Sequence, residues 1–152
     1  MKSIYALAAA TCIVAFVASS APARAQVGSG LSDLNQVPES QLATMPGMTP
    51  AIAKAFVDAR PFQTIVEAHT FLTGQKVPAE QLTALYEKAF VHLNLNTATG
   101  PEILLVPRIS KRMTREFDEY RPWVTMAQFD KEIGKYVGAK ETGRLWRFMV
   151  IK

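Results

Sequence analysis

Residues 93–123 read L-N-L-N-T-A-T-G-P-E-I-L-L-V-P-R-I-S-K-R-M-T-R-E-F-D-E-Y-R-P-W. The pattern is an extended lead-in, a short helix, a tight turn over 106–110, and a second helix. Met113, Phe117 and Tyr120 recur at spacings of four and three, which places them on one helix face. Pro122 pushes Arg121 away from helical angles, so the second helix is expected to stop there. Two short helices around a tight hairpin form the unit from which the whole chain is built.

Shifted by 61 residues, the chain matches itself. Leu34-Asn35 meets Leu95-Asn96, Pro46 meets Pro107, Phe56 meets Phe117, Arg60-Pro61 meets Arg121-Pro122, and Thr64 meets Thr125. After a one-residue gap, Val77, Ala79 and Leu85 meet Val137, Ala139 and Leu145, and Tyr86 meets Trp146. A period near 60 is longer than that of the common solenoid repeats, so the reading is two copies of a small domain.

The start signals repeat with the letters. Thr64-Ile65-Val66-Glu67 and Thr125-Met126-Ala127-Gln128 both fit a capping box. Each opens a third helix, with Ile65, Ala68 and Leu72 or Met126, Phe129 and Ile133 facing inward. Phe62 and Trp123 are placed to fill the core between second and third helices. Fourth helices carry Leu82, Leu85, Tyr86 and Ala89, then Leu145, Trp146 and Met149. Thr49 followed by Pro50 is an N-cap with proline at the first helical position, and Ser110 takes the same place in the second copy. No stretch alternates enough for a sheet. The expected fold class is all-α.

The first 25 residues stand apart. Lys2 precedes an apolar run over 4–17, and Ala23-Arg24-Ala25 supplies small residues flanking a cut before Gln26. This predicts a secretory signal peptide over 1–25 and a periplasmic or secreted mature chain with no membrane span. The one cysteine, Cys12, lies inside that leader, so the remaining chain is not stapled by disulfides. The expected layout is signal peptide 1–25, a short linker 26–33, and the two copies at 34–91 and 92–152.

Charge divides the copies. Residues 26–91 carry four Lys/Arg against six acids, net −2, whereas residues 92–152 carry eleven against seven, net +4. A polyanion, if one is met, is expected on the second copy.

The lead-in at 93–99, the turn on Val106-Pro107 and the proline–aromatic start of the third helix resemble the ComEA-type competence DNA-receptor domain. That resemblance implies an exported protein of tandem double helix-hairpin-helix (SAM-like) domains that binds duplex DNA without sequence preference. It covers 92–152 well and 31–91 more loosely. It also implies that the hairpin turns, here Pro46, Gly47, Thr49, Pro107, Ser110 and Gly138, approach the phosphate backbone. The family hairpin has the form apolar-Pro-Gly-apolar-Gly, whose glycines permit left-handed angles and bring backbone amides to phosphate. Copy one keeps Gly47 and has Thr49 at the second glycine. Copy two has Arg108 and Ser110, so direct backbone contact is expected to be compromised.

Cations take the place of those glycines. Arg108, Lys111, Arg112 and Arg115 cluster on the turn and the first turns after it, and Lys140, Arg144 and Arg147 extend the set from the last hairpin. Such a group holds phosphates by charge and counterion release. The competing reading is a solvated basic face, partly neutralised by Glu116, Asp118 and Glu119. Copy one has only Lys54 near its hairpin and reads as a spacer or docking domain. His69 and His92 are the only histidines; they lie far apart in sequence and without cysteine, so a transition-metal site is not expected. No catalytic triad or carboxylate pair stands out, so an enzyme is not expected and no cofactor is called for. Two partners remain. One is duplex DNA. The other is an exported protein, since the PsbU extrinsic subunit of photosystem II is also similar, with degraded hairpins and a structural role.

Overall fold

Residues 26–152 are described by the computed structural model, and the expected signal peptide lies outside them. Strand β1 (Gln26–Val27) leads into two runs of elements in the same order. The first is β2 (Ser32–Asp33), α1 (Glu39–Leu42), α2 (Pro50–Asp58), α3 (Ile65–Gly74), α4 (Ala79–Tyr86) and β3 (Ala89–Phe90). The second is β4 (Leu93–Asn94), α5 (Gly100–Leu104), α6 (Lys111–Glu119), α7 (Met126–Val137), α8 (Ala139–Trp146) and β5 (Met149–Ile151). Starting residues are offset by 61 from β2/β4 through α3/α7, then by 60 for α4/α8 and β3/β5. The chain is mostly helical.

The five strands correct the expectation of no sheet. Strands β2 and β3 pair in parallel, as do β4 and β5, so each run closes by pairing its first strand with its last. Strand β1 adds antiparallel to the free side of β5. The stretch 26–33, expected as a linker, is therefore built into both sheets. Ala89 and Met149, expected on the fourth helices, belong to β3 and β5. The strands escaped the pattern because they are two or three residues long, and β3 and β5 are buried at every position. A strand covered on both faces does not alternate.

The helix starts follow from local chemistry. The Thr49 hydroxyl accepts the Ile52 amide at 3.2 Å, and Thr64 and Thr125 accept those of Glu67 and Gln128 at 3.2 and 3.1 Å. The returning half of each expected box lands one residue early. Glu67 accepts from the Gln63 amide and Gln128 from the Val124 amide, not from the threonines. Ser110 sits at the start of α6, but its side chain makes no cap bond.

A clamp occurs in both halves. Asn35 Oδ1 accepts the Phe62 amide and its Nδ2 donates to the Phe62 carbonyl, both at 2.9 Å. Asn96 does the same to Trp123 at 2.7 and 3.0 Å. Arg60 donates to the Val37 carbonyl, and Arg121 to that of Ala98, the residue 61 further on. The shared Leu-Asn and Arg-Pro letters thus fasten the lead-in of each half to the entrance of its third helix.

Phe56 packs on Phe62 and Phe71, as Phe117 does on Trp123 and Phe129. Phe90 meets Phe148 edge-on at 5.1 Å, joining the halves in one buried cluster. The chain enters over this seam, where a Cβ on Gly28 would fall 1.8 Å from the Trp146 carbonyl oxygen. Only glycine fits there. No helix among the described residues is long and apolar enough to cross a membrane.

Candidate nucleic-acid interface

The turn at 106–110 joins α5 to α6, and the turn at 45–49 joins α1 to α2. Both close by the same bond, Ile109 amide to Val106 carbonyl and Met48 amide to Met45 carbonyl, each at 3.1 Å. Gly47 has φ 72° and Arg108 has φ 61°. The loss of glycine therefore has not removed the left-handed turn. Arginine holds it at a cost on the order of 1–2 kcal/mol.

Gly47 is required for a second reason. A Cβ there would lie 2.6 Å from Val77 Cγ1 and 3.0 Å from Gln81 Cβ, atoms of the loop and helix after α3. In the second half that neighbouring loop is rebuilt. Helix α7 has twelve residues to the ten of α3, and Gly138 alone, with φ 77°, joins it to α8. Pro46 is half-buried and Pro107 buried beneath their turns.

Arg108 is 68% exposed, with Nε 3.6 Å from a Glu87 carboxylate oxygen. Lys111 and Lys140 are exposed. Arg115 is 76% exposed and 3.9 Å from Glu116. Helix α6 starts with no acid in its first turn, so its partial positive charge adds to theirs.

Arg144 does not join this group. Its side chain is only 15% exposed, and Nε and Nη2 both bind Glu141 at 2.8 and 2.6 Å. That pairing holds the Glu141 carboxyl below its usual range, with Arg108 contributing through space. An acid on α8 therefore lies within electrostatic reach of the turn. Arg147 is likewise spent, donating to the Gly30 carbonyl at the chain entrance. In the first half, Lys54 pairs with Asp58 at 2.7 Å.

Arg112 has two partners, one of which the sequence did not reveal. Its Nε donates to Glu116 at 2.9 Å, and its guanidinium lies over the Tyr136 ring at 4.4 Å. Glu116, expected to neutralise a solvated face, is buried. The Arg112 bond holds its carboxyl below the ordinary value. Tyr136 shares a 2.9 Å hydrogen bond with the Tyr120 hydroxyl, and Lys135 lies over the Tyr120 ring. The Arg112–Glu116 half was readable as a four-residue helical pair; Tyr136 arrives from another helix and left no signal.

Among the described residues, no three His, Cys, Asp or Glu side chains gather where they could hold a metal ion. No family model, curated protein or solved structure matches this chain.

Proposed function

We propose that this chain is an exported tandem helix-hairpin-helix protein whose second half binds duplex DNA weakly and without sequence preference. The observation that carries the reading is Arg108 in the left-handed position of the 106–110 turn. It keeps the turn that Gly47 adopts and adds a cation to its tip. Lys111, Arg112 and Arg115 follow on α6, so phosphate can be met by charge where the family relies on bare backbone. Lys140 is the outlying member, and the first half acts as a rigid support.

Salt dependence tests this directly. Binding of the chain from Gln26 onward to random duplex DNA is measured over a range of salt concentrations. Four phosphate contacts give a slope of log affinity against log salt of about −3.6, and replacing Arg108, Lys111 and Arg115 with alanine should bring it to about −0.9. No binding at low salt, where attraction is least screened, overturns the reading.

The second reading is a docking module for an exported protein. Arg144 and Lys54 are already paired, and Glu87 faces Arg108. The same hairpin also lines a cleft of about 240 Å³ with His69, Leu82 and Tyr86 of the first half. An acidic protein partner would use the same cations and weaken likewise as salt rises, and this reading takes over where duplex DNA fails to bind at low salt.

A further inference from the structure

Arg112 differs from the other cations of the patch in being held. One carboxylate oxygen of buried Glu116 fixes Nε, and the guanidinium carbon lies over the Tyr136 ring at 4.4 Å. Tyr136 is itself tied by hydrogen bonds to the Tyr120 hydroxyl and to Glu116. The side chain remains 56% exposed. Glu116 takes Nε, the inner corner of the guanidinium fork, and Tyr136 also hydrogen-bonds the group; the exposed part of the fork faces solvent, where an oxyanion can meet it. A planar fork set in advance loses less freedom when it grips two oxygens than a swinging cation does.

We propose that Glu116 and Tyr136 are positioning residues that pre-set Arg112 for bidentate contact with a DNA phosphate, an inference that rests on the DNA-binding reading above. It assigns work to two residues that a charge count treats as inert or opposed. By charge alone, Glu116 is a liability beside phosphate. By geometry, it is the anchor that makes Arg112 the strongest contact in the patch.

The two views differ in sign, which makes the test sharp. Arg112→Lys keeps the charge but loses the fork and the stacking. Tyr136→Leu leaves every charge in place and removes the ring. Each should weaken binding to random duplex DNA about two- to tenfold, the cost of immobilising one long side chain at an interface. Glu116→Gln removes a negative charge and should still not tighten binding. In the free protein, the Arg112 Nε–H resonance should be resolved and slow to exchange. Glu116→Gln and Tyr136→Leu should each broaden it or speed its exchange.

Arg112 is at the surface, so the lysine variant stays informative even if Tyr136→Leu is too unstable to use. Arg112→Lys binding as tightly as wild type, or Glu116→Gln binding more tightly, overturns the proposal. A wild-type chain that shows the protected resonance yet binds no DNA overturns the reading beneath it.

Discussion

Replacing Asn96 with alanine removes the clamp between the lead-in and the third helix of the second half. Three hydrogen bonds go with it: the Trp123 amide to Oδ1 at 2.7 Å, and Nδ2 to the carbonyls of Trp123 at 3.0 Å and Lys152 at 3.3 Å. The last is long and exposed, so it counts for little. Each of the other two is worth about 0.5–1.5 kcal/mol net, and the Trp123 amide is left unpaired beside a side chain only 1% exposed. The expected loss is about 2–4 kcal/mol, a large fraction of the roughly 5–15 kcal/mol that holds an ordinary domain together. Asn35→Ala, with two such bonds to Phe62, should lose about 1–3 kcal/mol. Asn96→Asp keeps the acceptor but turns an oxygen toward two carbonyls, so its loss should approach that of alanine. Urea unfolding followed by circular dichroism measures these differences at constant slope. An Asn96→Ala loss below about 0.5 kcal/mol would refute the reasoning, because a bond pair to an almost buried backbone cannot be that cheap. The result also bears on function: if the loss is as expected, Asn96 is a fastening, and the DNA salt slope should not depend on it.

Phe117 is fully buried against Trp123 and Phe129, so Phe117→Ala should cost about 3–5 kcal/mol in the same assay; a wild-type midpoint would contradict the packing. Arg108→Gly relieves the left-handed turn and should raise stability by about 0.5–1 kcal/mol while weakening DNA binding; a lower melting temperature would show that the side chain supports the turn. Burial pushes His92 below its usual 6.5, with Asp33 and a hydrogen bond to the Arg147 backbone opposing and Lys152 adding to the fall; its Nε2 is buried without a protein partner. The unfolded chain therefore takes the proton first, and stability should drop as pH falls below 6.5, by at most about 1.4 kcal/mol per pH unit for this group. His69 is shifted the same way, so the pH profile of His92→Gln should be flatter than wild type but not flat; identical profiles would remove His92 from the account.

By itself, the amino-acid sequence determined what depends on neighbours along the chain. The duplication, the threonine starts at 49, 64 and 125, and Phe117 as a core residue were legible because propensity, capping and helical periodicity act over three or four residues. The basic hairpin was legible too, as composition. Tertiary structure decided everything set by a partner distant in sequence. The strands formed because residues 26–33, 89–94 and 149–151 came together, and at two or three residues each they are too short to alternate. Arg108 kept the turn that glycine would have made because the surrounding bonds held it there. Of the seven cations named from the sequence, Arg144 was taken by Glu141 and Arg147 by the Gly30 carbonyl, whereas Arg112 was set in place by buried Glu116 and by Tyr136 from a different helix. A charge's availability depends on which opposite charge and which ring the fold brings beside it, and one-dimensional spacing does not carry that.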